Sequence, residues 1–101
     1  MKPVVLHPEA ETEIEEAADF LESRRPGYGE RFRAEVADAL AQIGSTPTSF
    51  SLYKGGPVRR RLINPFGYAV YYLERDHAIH VLAVANQRRK SDYWLGRLND
   101  I

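Results

Sequence analysis

The sequence lacks cysteine and any long apolar run, and each absence excludes a class of protein. Without cysteine there is no disulfide bond and no thiolate metal site, which is typical of proteins from a reducing cytoplasm. No apolar stretch approaches the roughly 20 residues that span a bilayer, so we expect no membrane partner. The N-terminal stretch MKPVVLHPEAE has too short an apolar run for a signal peptide. These features together predict a cytoplasmic location.

The sequence also shows no arrangement typical of a metal or cofactor site. His77 and His80 differ by an odd number, so an extended strand would direct their side chains to opposite faces. The carboxylates of residues 9 to 22 follow a helix pattern, and we interpret them as a solvated surface without an acid–base pair. The sequence therefore predicts neither a metal ion nor a cofactor.

The net charge is zero, but the two halves of the chain carry opposite charge. Residues 1–50 hold five Lys and Arg against ten Asp and Glu, whereas residues 51–101 hold nine against four. Such asymmetry indicates an anionic partner for the basic half. Alternatively, folding interleaves the halves and cancels their fields, and the sequence does not decide between the two.

Two amphipathic helices are predicted in the first half. One begins at Pro8 and ends before Pro26-Gly27, since proline is favoured in a first helical turn and Pro-Gly stops a helix. The second runs from about Glu30 to Ile43. The stretch PGYG between them is short, so the helices form an antiparallel hairpin. The apolar positions that recur at helical spacing are Ile14, Ala17, Ala18 and Leu21 in the first, and Phe32, Val36, Ala39, Leu40 and Ile43 in the second.

The second half of the chain reads as strands separated by glycine and proline turns. The predicted strands are a short N-terminal run at 2–7 and four more at 50–54, 58–63, 68–74 and 78–85. The last is almost continuously apolar, which favours a central strand buried on both faces. A short helix over 92–98 would end the chain. Residues 1–101 are thus predicted to form one α+β domain, with the hairpin packed on a small, mainly antiparallel sheet.

Two basic clusters are the most unusual feature of this pattern. The first is VRRRLI, with Arg59, Arg60 and Arg61, and the second is RRK after the last strand, with Arg88, Arg89 and Lys90. If the face of Val58 and Leu62 meets the helices, Arg60 lies at a margin, and Arg59 and Arg61 point to the open face. The guanidinium fork suits phosphate and carboxylate, so both clusters are predicted to bind anions. The alternative is a solvated strand whose charges prevent edge pairing.

The aromatic residues near the C-terminus have two interpretations. Tyr93 and Trp94 could stack on a base or on a guanidinium group. A tryptophan in such a place more often packs a terminal segment onto the body of the domain. We favour packing for Trp94 and leave the role of Tyr93 open.

The order of these elements resembles the RelE/ParE family of type II toxin–antitoxin toxins. EIEEAADFLESRRPGYGERFRAEVADAL is similar to the helical hairpin of that family. VRRRLINPFGYAVYYLERDHAIHVLAVANQRRKSDYW is similar to its sheet and C-terminal signature. The resemblance implies a toxin that a cognate antitoxin neutralises in a hetero-oligomer. It implies a target that is either DNA gyrase or messenger RNA on the ribosome.

The ribonuclease branch of the family uses basic residues and an acid–base group without a metal. The resemblance places Arg59, Arg61, Arg88 and Tyr93 in those roles. This sequence departs from the pattern at Ala69, where an arginine often follows the tyrosine of the strand, and at Asn86 and Gln87, where a basic residue or histidine often lies. Arginine is a poor general base, so Tyr93 is the sole acid–base residue.

Three functions remain open at this point. The first is a ParE-like toxin that inhibits DNA gyrase by binding, which the incomplete ribonuclease set favours. The second is a ribosome-dependent mRNA endonuclease, and the third is a partner-binding module that keeps the fold without toxicity. In the first and third cases the binding residues would be the cations of both clusters: Arg59, Arg60, Arg61, Arg88, Arg89 and Lys90.

Overall fold

The structure is a computed structural model that describes residues 1–90 and 92–101. Its elements follow the order strand, two helices, three strands, with short 3-10 helices after the hairpin and at the C-terminus. The strands and helices are β1 (Val4–Leu6), α1 (Pro8–Arg24), α2 (Tyr28–Ser45), β2 (Arg59–Ile63), β3 (Tyr68–Glu74) and β4 (Ile79–Asn86), and the 3-10 helices are Pro47–Ser49 and Leu95–Asp100. The α+β prediction is confirmed.

The sheet has the strand order β1-β4-β3-β2 and is mainly antiparallel. Only β1 runs parallel to its neighbour, since the helical hairpin separates it from the rest of the sheet in the chain. The central strand position predicted for residues 78–85 is confirmed, because β4 lies between β1 and β3 and is largely buried. The β2 strand is at one edge.

The helical hairpin covers one face of the sheet with the apolar stripes that their spacing predicts. Phe32, Val36, Ala39 and Ile43 of α2 and Ala17, Ala18 and Leu21 of α1 pack with Tyr68, Val70, Tyr72, Val81 and Val84 of the sheet. The two helices approach closely at Gly29, where an added Cβ would lie 2.5 Å from the carbonyl oxygen of Ala18. Glycine at this position therefore sets the distance between the helices.

The second face of the sheet is covered by the chain after β4 rather than left open. Trp94 is 2% exposed and stacks on Tyr71, with ring centroids 4.8 Å apart, and it also contacts Tyr53. Packing, the role favoured for Trp94, is what the structure shows. Tyr53 and Trp94 join the apolar residues Val58, Ala69, Leu82, Ala83 and Ala85 in a second, smaller core.

Two predicted elements differ from the structure. Residues 50–54 do not form a regular strand: Leu52 makes a single bridge to Arg59, and backbone hydrogen bonds from Tyr53 to Val58 and from Arg60 to Ser51 join the segment to the chain at β2. The segment ends at Lys54, whose φ of 52° departs from the extended conformation. The terminal helix is a 3-10 helix over Leu95–Asp100 instead of an element over 92–98. Among the described residues, no helix has the length and apolar character needed to cross a membrane.

Candidate functional site

Arg59, Arg60 and Arg61, which we name the β2 arginines, lie on faces opposite to those predicted. Arg59 pairs with Tyr72 and Arg61 with Val70, and both partners belong to the core under the helices. Arg60 pairs with Tyr71, which belongs to the second core. The prediction that Arg59 and Arg61 point to the open face is therefore wrong. Ile63 is completely buried against the helices. Because side chains alternate between the two faces of a strand, Arg61 and Arg59 lie on the same face as Ile63.

Arg59 and Arg61 are held by the protein itself. The guanidinium of Arg59 donates to the carbonyl oxygen of Phe50 at 2.6 Å. Arg61 donates twice to the side-chain oxygen of Gln42 on α2, at 2.8 and 3.3 Å, and once to the carbonyl of Leu62 at 2.7 Å. These contacts connect the edge strand to the helical layer and use most of the donors of Arg61.

Arg60 lies beside the second core, with its guanidinium carbon 5.6 Å from the centroid of the Tyr53 ring. It forms no ion pair within the described part of the chain. Among the β2 arginines, Arg60 is thus the one whose charge is available to a partner.

The two basic clusters are offset along the sheet. Arg59 is level with Val81 of β4 and Arg61 with Val84, whereas the second cluster, Arg88, Arg89 and Lys90, which we name the β4 cations, begins beyond Asn86. At a rise of about 3.3 Å per residue, the β2 arginines lie roughly 7 to 16 Å from Asn86 along the sheet. Arg88, Arg89 and Lys90 are all exposed, and the amide of Arg88 donates to the side-chain oxygen of Asn86 at 2.8 Å.

Tyr93 is fixed by a buried carboxylate. Its hydroxyl donates to Oε2 of Glu13 on α1 in a short hydrogen bond. The guanidinium of Arg89 lies over the Tyr93 ring, 3.8 Å from its centroid, so the stacking on a guanidinium foreseen for this residue does occur. Burial, and next the bond to Glu13, raise the pKa of the Tyr93 hydroxyl above its usual value.

Glu13, Tyr93 and Arg97 form what we name the carboxylate cluster. Glu13 is 8% exposed, and Arg97 donates to both of its oxygens at 2.9 Å. Oε1 of Glu13 also accepts from the backbone amide of Val84 at 3.0 Å. Burial lowers the pKa of the Arg97 guanidinium, but the bond to Glu13 and the electrostatic attraction of Glu13, Tyr93 and Glu9 together outweigh burial, and the net shift is upward. The pair is well satisfied by hydrogen bonds.

The carboxylate cluster also completes an edge of the sheet. β1 ends at Leu6, opposite Val81, so the outer edge of β4 beyond this point has no strand partner. There Arg97 donates to the carbonyl of Leu82 at 3.0 Å, and Glu13 accepts from the amide of Val84. Side chains thus replace the backbone partner that a longer β1 would supply.

The sequence interpretation missed both Glu13 and Arg97. It assigned all the carboxylates of 9–22 to a solvated surface, but Glu13 lies one residue before Ile14 and within the buried stripe of Ala10, Ala17 and Leu21. A carboxylate inside an apolar stripe is a signal that a buried partner exists. The identity of that partner, 84 residues away, carries no such signal.

Within the described residues, no group of three or more histidine and acidic side chains is arranged to hold a metal ion.

Comparison with known proteins identifies the family. The model of the ParE toxin of type II toxin–antitoxin systems matches residues 4–91, most of the chain. A comparison with curated proteins gave no match. Among solved structures, the chromosomal ParDE toxin–antitoxin system from P. aeruginosa has a similar fold, with a TM-score of 0.75 over 85% of this chain and 96% of that chain at 9% identity. The protein belongs to the ParE toxin family of type II toxin–antitoxin systems.

Proposed function

We propose that this ParE-family toxin is neutralised by a cognate antitoxin and arrests growth by binding DNA gyrase rather than by cutting messenger RNA. Family membership supports the toxin role. The observation that favours gyrase over messenger RNA is the hydrogen bond of Tyr93, whose hydroxyl donates to the buried carboxylate of Glu13.

Cleavage of RNA through the ribose 2′-hydroxyl requires a group that accepts a proton and a group that donates one. Tyr93 is the acid–base residue of the ribonuclease set, and its raised pKa and its bond to Glu13 both oppose proton transfer to a substrate. The arginines stay protonated and do not act as bases. A mechanism that depends on binding alone needs none of these proton transfers.

The residues that we propose for binding are the three exposed β4 cations and the half-buried Arg60. Arg88, Arg89 and Lys90 follow β4 in an exposed turn, and Arg60 stands without an ion pair beside Tyr53. An acidic segment of an antitoxin would complement these charges and would steer association. Occupation of this surface by the antitoxin would exclude the target, and a stable toxin–antitoxin hetero-oligomer would result.

A gyrase assay with purified components tests this proposal directly. We expect the toxin to inhibit supercoiling of a relaxed plasmid, and the antitoxin, taken from the neighbouring gene, to restore it. A parallel cell-free translation reaction, followed by primer extension on the message, detects ribosome-dependent cleavage. Cleavage of the message without inhibition of gyrase would overturn the proposal in favour of the endonuclease.

The same distinction can be made in cells by pulse labelling just after induction of the toxin without antitoxin. DNA synthesis should fall before protein synthesis if gyrase is the target. The opposite order would favour the endonuclease. If neither changes in the host used, the chain is a partner-binding module with the fold of a toxin.

A further inference from the structure

The fold creates a basic surface that differs from the two clusters of the sequence. It lies at the tip of the helical hairpin, where Arg25 follows the last residue of α1 and Arg31 is in the first turn of α2. Their guanidinium carbons are 5.6 and 5.5 Å from the centroid of the Tyr28 ring. Both arginines are exposed, and neither forms an ion pair within residues 1–90 and 92–101.

Aromatic packing joins this tip to the turn between β2 and β3. The ring of Tyr28 packs on Phe66 with centroids 4.7 Å apart, and Phe66 meets the buried Phe32 at 5.5 Å. Tyr28 is thereby fixed to the core, and the two arginines rest on a rigid ring. Less side-chain freedom remains to be lost when such groups bind a ligand.

The same turn borders a cleft that brings in one of the β4 cations. The amide of Gln87 donates to the carbonyl of Gly67 at 2.9 Å and joins the end of β4 to the turn. Between them is an open cleft of 380 Å³ lined by Pro65, Phe66, Gly67, Asn86, Gln87 and Arg88. We name the tip cleft this cleft together with Tyr28, which packs on its Phe66, and the two arginines that lie over the Tyr28 ring.

The charge of the tip cleft is not cancelled by the acidic residues that neighbour it in the chain. The carboxylate of Glu22 accepts from the amides of Gly27 and Gly29 at 3.0 to 3.1 Å, so its charge is directed to the backbone of the turn. Glu30 is exposed and forms no ion pair within the described part of the chain. Arg25, Arg31 and Arg88 carry three positive charges against the two carboxylates of Glu22 and Glu30, which leaves a net charge of +1.

We propose that the tip cleft binds the phosphate backbone of a nucleic acid. Guanidinium groups that lie on an aromatic ring keep their N–H edges free for phosphate oxygens, which they match better than an ammonium group does. A concave site between two turns also admits a projecting phosphate or sugar. This inference does not depend on whether gyrase is the cellular target.

Fluorescence anisotropy of the full chain with a short labelled DNA duplex and a single-stranded RNA, over a range of salt concentrations, tests the proposal. Three phosphate contacts predict a slope of log affinity against log salt of about −2.7 for the duplex. The double variant Arg25→Gln/Arg31→Gln should reduce the magnitude of this slope by about 1.8 and reduce the affinity at low salt roughly a hundredfold. The relative affinity of the two probes identifies which nucleic acid is the source of the phosphates.

The matched control is Arg24→Gln/Arg75→Gln, which removes the same charge from exposed arginines that do not lie over the Tyr28 ring and that form no ion pair within residues 1–90 and 92–101. Retained binding in this control together with loss in the tip variant supports the proposal. Equal loss in both variants means that net charge alone attracts the probe, and the proposal fails. It also fails if neither probe binds, or if a poly-glutamate peptide binds the tip and the nucleic acids do not. Circular dichroism confirms that each variant is folded.

Discussion

Glu13 and Arg97 form a bidentate ion pair across 84 residues of sequence, with both N–O distances at 2.9 Å. The pair fixes the C-terminal segment to the first helix and to the unpaired edge of β4. The carboxylate cluster is therefore a structural feature, and it removes Tyr93 from the set of free acid–base groups.

Replacing either member of this pair should destabilise the fold strongly. We expect Glu13→Gln or Arg97→Met to cost about 3 kcal/mol of unfolding free energy, the lower end of the range for buried pairs, because Arg97 keeps some solvent contact. Urea denaturation of both single variants and of the double variant measures the coupling, which should exceed about 1 kcal/mol. The exposed pair of Arg33 and Glu15 is the control, and its removal should cost far less. Additive losses for Glu13 and Arg97 would contradict this account.

Gly29→Ala tests the close approach of the two helices. The added Cβ would lie 2.5 Å from the carbonyl oxygen of Ala18, so we expect a loss of about 1 to 3 kcal/mol despite the better helix propensity of alanine. The melting temperature, measured by thermal denaturation, shows whether the substitution destabilises the fold. The control is Gly96→Ala, where no atom lies within 4 Å of the added Cβ, and its melting temperature should not fall. A stable Gly29→Ala protein would show that the helices can separate without cost.

The orientation of β2 predicts different roles for neighbouring arginines. Arg61→Ala removes two hydrogen bonds to Gln42 and should cost about 1 to 2 kcal/mol. Arg60→Ala should change the stability by no more than about 0.5 kcal/mol, as surface substitutions usually do. Chemical denaturation measures the loss of unfolding free energy in each variant. A larger loss for Arg60→Ala than for Arg61→Ala would favour the face assignment that the sequence pattern predicted.

Alkaline titration should separate the tyrosines. Burial raises the pKa of Tyr72 to about 12, and it also raises that of Tyr93. In the unfolded chain these hydroxyls ionise near pH 10. The raised values therefore contribute stability that is present below pH 10 and is lost as the pH rises through the folded pKa. The rise in tyrosinate absorbance should therefore be complete only at a higher pH in the folded protein than in urea. Titration of all six tyrosines near pH 10 in the folded state would contradict the prediction.

Tyr93→Phe distinguishes a binding toxin from a ribonuclease in cells. We expect growth arrest on induction to persist, with a stability loss of about 1 kcal/mol for the missing hydrogen bond to Glu13. Growth curves and melting temperatures are measured on the same variant, so that unfolding is not mistaken for lost activity. A folded Tyr93→Phe protein that no longer arrests growth would assign a functional role to the hydroxyl and would weaken the gyrase proposal.

The local elements of this protein are determined by its sequence. Apolar spacing, with Pro8 at the start of α1 and Pro26-Gly27 between the helices, places both helices, and the apolar run of β4 predicts a buried central strand. These signals are local in the chain, so they can be seen without the fold. The same information, with the order of elements, is sufficient for the family resemblance.

Only the tertiary structure decided which face of β2 meets the helices and which charges are free. From the sequence, either the face of Val58 and Leu62 or the face of Ile63 could meet the helices. A shift of one residue between these alternatives moves Arg59 and Arg61 to the other face. The bond from Tyr93 to Glu13 and the tip cleft each join residues far apart in sequence. Local spacing carries no information about such contacts, because they depend on how the helices, turns and C-terminal segment pack against the sheet.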